Sequence, residues 1–413
     1  MKGCGRVNIP ELLAPAGNME KAKIAIAYGA DALYLAGNQF GMRAMAGNFD
    51  LEELKTVVHY AHDRAVKIYV TVNVFPHNRD LPGIPDYIQY LGEIGVDAII
   101  LADVGIMRIA QQVAPHVPLH LSTQANTTNW QAAKFWAELG IARIVTAREI
   151  TKDDMAIMRT KVSAEMEVFV HGAMCMAYSG RCMLSHVMTG RDANRGACAQ
   201  SCRWKYAVVE ETRPNKYYPI EEAPEGTYIF NSSDLCLLEY LPDLIAIGID
   251  SLKIEGRMKS AYYVATIVRA YRQALDSYQS DPNNYTLDPV LLKEVSKVSH
   301  RPYYPGFFTG NQAGTNPEST AYSQTYDFLG VVQEYDEASG EAIIEVRNRL
   351  QIGDALEIMQ PRAENFDFVV EHIIDDKTNK SVDAVHANYQ ARIPMPKVLP
   401  FSILRKVKVK IEI

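Results

Sequence analysis

The sequence predicts a (β/α)8 barrel of the TIM type, interrupted after its seventh strand by a long cysteine-bearing insertion and followed by a small all-β barrel domain. Three observations predict it. Between Glu11 and Tyr278, eight short β-rich runs alternate with amphipathic helical stretches, the pattern of a parallel α/β fold. Those runs are apolar almost throughout, as strands buried on both faces are. From Phe328 the texture changes to short strands separated by turn residues.

Taken in order, ELLAPAGN opens the series at Glu11 and leads into a helix over about 19–28, with Ala22 and Ile26 at helical spacing. ALYLAG (32–37) is the second strand, and Asp50 is placed to cap the helix LEELKTVVHYAHDRA. KIYVTVN (67–73), AIILAD (98–103), LHLSTQ (119–124), RIVTAR (143–148) and EVFVHG (167–172) supply the third to the seventh. SLKIEG (251–256) is the eighth, with a long helix over about 261–278. The runs end in polar or glycine residues, where barrel strands open onto a site: Asn73, Asp103, Gln124, His171 and the Lys253–Glu255–Arg257 set. The predicted units are a barrel over 1–280 containing an insertion over 173–250, a Tyr-, Pro- and Gly-rich connector over 281–327, and a β-barrel domain over 328–413. Within the insertion, YAVVEE is expected to pair with TYIFNSS as a hairpin, and a helix to start at Asp234.

Composition excludes several classes. The 413 residues are 48% hydrophobic and 22% charged, as in an ordinary soluble protein. No apolar run approaches the roughly 20 residues of a spanning helix, and the N-terminus lacks a secretory apolar core. The expectation is a cytoplasmic protein without membrane contact. A net charge of −7 argues against a generally basic nucleic-acid binder. A local basic site remains open: between Gly190 and Lys205, Arg191, Arg195, Arg203 and Lys205 against Asp192 give +4 − 1 = +3.

Four of the six cysteines fall between Glu167 and Lys205, spaced Cys175-x6-Cys182-x15-Cys198-x3-Cys202, and Cys236 follows in NSSDLC. Structural disulfides are rare in the cytoplasm, so clustered cysteines there point to metal or redox chemistry. Four thiolates can hold a [4Fe–4S] cluster or a tetrahedral zinc ion. The irregular spread suits a cluster gripped by a folded loop better than a zinc ribbon, with zinc and buried free thiols as the alternatives.

The run Glu167-x-Phe169-x2-Gly172-Ala173-Met174-Cys175-x4-Gly180-x-Cys182-x-Leu184-Ser185 resembles the signature of the family historically called peptidase U32. The resemblance extends to LLAPAG, NRGACAQSCRWKY, NSSDLC, SLKIEGRMKS and HRPYYPGFFTG, nearly the whole chain. It implies either of two activities. The older family name reflects collagenase-like peptidase activity. The newer picture is oxygen-independent hydroxylation with [4Fe–4S] clusters, of ribosomal RNA, of ubiquinone precursors, or of the tRNA wobble uridine to 5-hydroxyuridine with prephenate implicated. The C-terminal β-domain makes the tRNA branch the better match, with tRNA as partner and a paralogue of the same family as a possible second subunit. One ubiquinone-pathway branch has cluster ligands matching Cys175, Cys182, Cys198 and Cys236; its sister branch uses the position of Cys202 instead. The resemblance therefore implies Cys175, Cys182 and Cys198, with Cys236 favoured as the fourth ligand and Cys202 as the alternative.

Other candidates rest on position. His171, at a strand end before the cysteine loop, could bind substrate or relay a proton, or could be a satisfied core histidine. Lys253, Glu255 and Arg257 share one face of the last strand by period-2 alternation. Lys253 and Arg257 would suit the two carboxylates of prephenate, with Glu255 orienting them or accepting a proton. Arg191, Arg195, Arg203, Trp204 and Lys205 combine cations with an aromatic, the composition for holding phosphates and stacking a base, or equally for packing the insertion onto the barrel. A peptidase would need a cysteine paired with His171 or His186; no HExxH or GxSxG motif is present.

Overall fold

A computed structural model describes residues 8–41, 47–175, 177–204, 207–209, 217–219, 233–310 and 323–408. The barrel strands are β1 (Glu11–Pro15), β2 (Ala32–Leu35), β3 (Lys67–Val72), β4 (Ala98–Leu101), β5 (Leu119–Leu121), β6 (Arg143–Val145) and β7 (Glu165–Ala173). Between them lie α1 (Met19–Ala27), α2 (Leu51–His62), α3 (Ile84–Glu93), α4 (Val104–Val113), α5 (Trp130–Glu138) and α6 (Lys152–Lys161). Caps fix where helices begin: Asp50 forms a reciprocal capping box with Glu53, and Asn18, Asp103, Asn129 and Thr151 each accept from a first-turn N–H.

After β7 come α7 (Leu184–Thr189), a β8–β9 hairpin (Ala207–Val209, Tyr217–Pro219), β10 (Asp234–Cys236) and α8 (Leu241–Ile247). β11 (Ser251–Ile254) is the eighth barrel strand; it lies parallel to both β7 and β1 and closes the ring. α9 (Ala261–Ser280) and α10 (Pro289–Val295) complete this part of the chain.

The insertion differs from expectation in two places. Ala207–Val209 pairs with Tyr217–Pro219, while residues 227–232 of the predicted partner lie outside the described residues. Asp234 starts no helix. Its carboxylate is held by the Arg301 guanidinium at 2.6 Å, and Asp234–Cys236 pairs antiparallel with the end of β7. The connector adds β12 (Tyr303–Tyr304) parallel to β10, so the sheet runs two strands past the barrel.

The C-terminal domain is antiparallel: β13 (Tyr326–Asp336), β14 (Glu341–Val346), β15 (Leu350–Gln351), β16 (Ala355–Met359), β17 (Phe366–Val369), β18 (Ile374–Asp375), β19 (Lys380–Ser381), β20 (Ala384–Val385), β21 (Gln390–Pro394) and β22 (Ile403–Val407). Its own core includes Val332, Ile344, Ile358 and Leu404. It docks on the barrel through side chains that carry specificity as well as area. Tyr28 donates to the carbonyl of Met359 at 2.8 Å, and fully buried Arg405 joins Glu294 of α10 to Glu357 of β16. Among the described residues no helix is long and apolar enough to cross a membrane.

Candidate functional site

Inside the barrel, period-2 alternation sends Glu11, Tyr69, Arg143, Glu167 and Lys253 inward, and they satisfy one another. Arg143 reaches Glu11 at 2.6 Å and Glu167 at 3.4 Å, Tyr69 donates to Glu11 at 2.7 Å, and Lys253 Nζ lies 2.6 Å from Glu167 Oε1. Burial pushes the Lys253 ammonium down from its ordinary pKa, against the raising effect of Glu167. Lys253 is therefore engaged from below by Glu167 and stands over the Tyr34 ring at 4.4 Å.

Above this layer, at the C-terminal ends of the strands, lies a cavity of about 310 Å3. One wall is charged. Lys253, Glu255 and Arg257 line it as period-2 alternation expects, joined by Arg148 from the end of β6. The Arg148 guanidinium lies 3.9 Å from the centroid of the Phe169 ring, and its Nη2 is 3.8 Å from Glu255 Oε2. The other wall is neutral: Asn73 donates to Gln124 Oε1 at 2.9 Å and to Ser122 Oγ at 3.3 Å, and Thr71 stands beside them. Asp103, by contrast, caps α4 through its side chain, and Arg43 lies outside the described residues.

The cysteine loop roofs this cavity. Cys175, Cys182, Cys198 and Cys202 all line it. Gly180 has φ of +74°, and a Cβ there would sit 2.2 Å from the carbonyl oxygen of Gln124, so the loop rests directly on the β5 end. Ser179 ties it down further, its N–H donating to Glu149 at 3.0 Å. The Gln200 N–H lies 3.4 Å from Cys198 Sγ, a donor aimed at sulfur. Such N–H to sulfur bonds tune iron–sulfur centres, and four thiols lining one cavity are a donor set that fits a cluster. Among the described residues, no three His, Cys, Asp or Glu side chains stand close enough together to share one metal ion. A tetrahedral zinc site would need its thiolates gathered about a single ion, whereas a cubane reaches thiolates spread around it.

His171 and Cys236 lie elsewhere. Phe169 pairs with Lys253, but His171 pairs with Ile254, so β7 carries one extra residue at Val170. A bulge of that kind turns the following side chain to the opposite face. The His171 ring is accordingly fully buried behind the strand, with Nε2 3.2 Å from the Tyr303 hydroxyl and Nδ1 3.5 Å from that of Tyr271. Burial holds its pKa down at about 3. Cys236 is the antiparallel partner of His171 and shares its face; burial pushes its thiol up to about 11, which keeps it protonated at neutral pH. Neither residue lines the cavity. The structure thus brings Cys202, rather than Cys236, together with the other three cysteines.

The predicted RNA-contacting set divides as well. Arg191 donates to the carbonyls of Ala197 (3.1 Å) and Cys198 (3.5 Å), and Arg195 donates to Phe75 O at 3.2 Å and pairs with Asp80 at 2.9 Å. Both brace the cysteine loop. Trp204 is 44% exposed on the rim, near the likewise exposed Tyr178, Met183 and Met258. Lys205 lies outside the described residues, as does the Arg203 side chain. Arg148 was absent from the sequence-derived set; its place at the end of RIVTAR, where a barrel strand opens onto the mouth, was the available signal.

Residues 17–317 match the family described as peptidase family U32, and residues 324–405 match the U32 C-terminal domain. The chain is 43% identical to tRNA hydroxylation protein P1 of Bacillus subtilis (strain 168), over 97% of this chain and 95% of that one. It is 34% identical to tRNA hydroxylation protein P of Escherichia coli (strain K12), over 94% of each. It is also 32% identical to a protein of Porphyromonas gingivalis (strain ATCC BAA-308 / W83) named collagenase, over 86% of this chain and 87% of that one.

Proposed function

The chain belongs to peptidase family U32, and from that premise we propose that it hydroxylates RNA, forming 5-hydroxyuridine at the wobble position of tRNA with prephenate as co-substrate. The observation that carries this reading is the joint lining of one barrel-mouth cavity by four cysteines and an arginine-rich wall, in a chain similar along its length to two tRNA hydroxylation proteins. Cys175, Cys182, Cys198 and Cys202 would hold a [4Fe–4S] cluster, which when bound supplies one-electron chemistry at the roof of the cavity. Lys253, fixed on Glu167, keeps one side of the floor cationic, and Arg148 and Arg257 extend that charge toward the mouth. A uridine turned out of the anticodon loop would enter past Tyr178 and Trp204, whose exposed rings offer stacking surface to its neighbours. The braces formed by Arg191 and Arg195 keep the loop shut over the cavity and limit water there. A second family member may not be needed for any of these contacts, since all of them come from this chain.

The peptidase reading requires a thiol activated by histidine. His171 instead faces two tyrosine hydroxyls behind β7, and His186 is exposed on α7. The deciding experiment is mass spectrometry of tRNA nucleosides from a strain lacking this chain and any paralogue. Loss of 5-hydroxyuridine and its derivatives, restored by the wild-type chain and not by the Cys182→Ala variant, is expected. Undiminished modification would overturn the reading.

A further inference from the structure

The two walls of the cavity differ in kind, and the difference specifies a ligand. Arg148 is presented as a flat fork. Phe169 stacks on its guanidinium, its side chain is only 9% exposed, and its contact with Glu255 is one long approach of 3.8 Å rather than a two-toothed pair. Of the charged side chains lining the cavity, Arg148, Lys253 and Arg257 against Glu255 give +3 − 1 = +2, and Glu167 below answers Lys253, leaving +1. The excess lies wholly on the β6–β7–β11 side. Across the ring stands β3, four strands from β7, and there the chemistry is neutral. Thr71 is 4% exposed and its hydroxyl has no hydrogen-bond partner among the described residues. A buried hydroxyl left in that state is costly unless something arrives to meet it.

We infer that the cavity takes a small hydroxylated carboxylic acid lengthwise, its carboxylate received by Arg148 in place of Glu255 and its hydroxyl received by Thr71. This deepens the reading of the cavity as a co-substrate site and rests on it. Glu255 is then a place-holder: its carboxylate occupies the Arg148 fork until a ligand carboxylate makes the closer bidentate contact. Arg148 acts as the anchor, and Thr71 sets the length and polarity of what fits.

The test is calorimetric binding to anaerobically purified protein of three probes: prephenate, 4-hydroxyphenylpyruvate, and phenylpyruvate, which lacks the hydroxyl. Arg148→Ala should weaken the two hydroxylated acids about 10- to 100-fold, the range of a charge-assisted hydrogen bond. Glu255→Gln should tighten them about 3- to 10-fold by removing the competing anion, a gain that misfolding cannot mimic. Thr71→Val should weaken 4-hydroxyphenylpyruvate by about 3- to 10-fold and leave phenylpyruvate unchanged. Arg148-dependent binding of 4-hydroxyphenylpyruvate without binding of prephenate would keep this inference and remove prephenate from the proposed reaction. Binding unaffected by Arg148→Ala, weakening on Glu255→Gln, or no binding of any probe by the wild type would overturn the inference.

Discussion

The two faces of β7 meet the same solvent-free interior with opposite consequences. On the cavity side, Glu167 and Phe169 position Lys253 and Arg148 and so shape the site. On the outer side, one residue past the bulge, His171 and Cys236 sit among Tyr263, Tyr271 and Tyr303 as part of the packing between barrel and helices. The residue types on the outer face, histidine and cysteine, are the ones chemistry usually recruits. Burial there has moved both toward their neutral forms, so type alone misleads and the side of the strand decides.

Substitutions on each face should separate these roles. Lys253→Met removes one partner of a buried pair and strands Glu167 beside Arg143, so a loss of about 3–5 kcal/mol in denaturant unfolding is expected, together with loss of hydroxylation. His171→Phe, behind the strand, should cost about 1–3 kcal/mol through the unpaired tyrosine hydroxyls it leaves, while the folded fraction keeps its activity. Abolished activity in a folded His171→Phe protein would return that residue to the site. The same residue predicts a pH dependence. Its folded pKa of about 3 lies below the ordinary value of 6.5, so the unfolded chain binds the proton more readily. Its contribution is fully present above about 6.5 and fades as pH falls toward 3. Urea midpoints measured across that window should fall with pH in the wild type and fall less in His171→Phe. The smallest effect is expected from Arg195→Ala, about 1 kcal/mol or less for a part-exposed pair with Asp80, with the salt dependence of tRNA binding unchanged. A shallower salt slope would mean that Arg195 meets phosphate as well as Asp80.

Most of the barrel was legible in the sequence because its signals are local. Each of the eight runs is apolar over both faces, and Asp50 and Asp103 stand where helix caps belong. The placement of Lys253, Glu255 and Arg257 on the cavity followed from alternation alone. What escaped is decided by contacts distant in sequence. The bulge at Val170 is a matter of register against β11, so nothing in EVFVHG announces that His171 turns outward. Asp234 looks like a helix cap until Arg301 claims its carboxylate. Arg191 and Arg195 read as phosphate ligands because a cation gives no sign of being committed to a carbonyl or to Asp80. The choice between Cys202 and Cys236 depended on which side of β7 each occupies, which spacing does not encode.

The central claim is that the cavity-lining thiols form the cofactor site and the thiol behind β7 does not. Iron and acid-labile sulfide counted in anaerobically purified Cys202→Ala and Cys236→Ala proteins test it most directly. About four irons per chain in the wild type and in Cys236→Ala, with loss in Cys202→Ala, is the predicted result. A full complement in Cys202→Ala with loss in Cys236→Ala would contradict it.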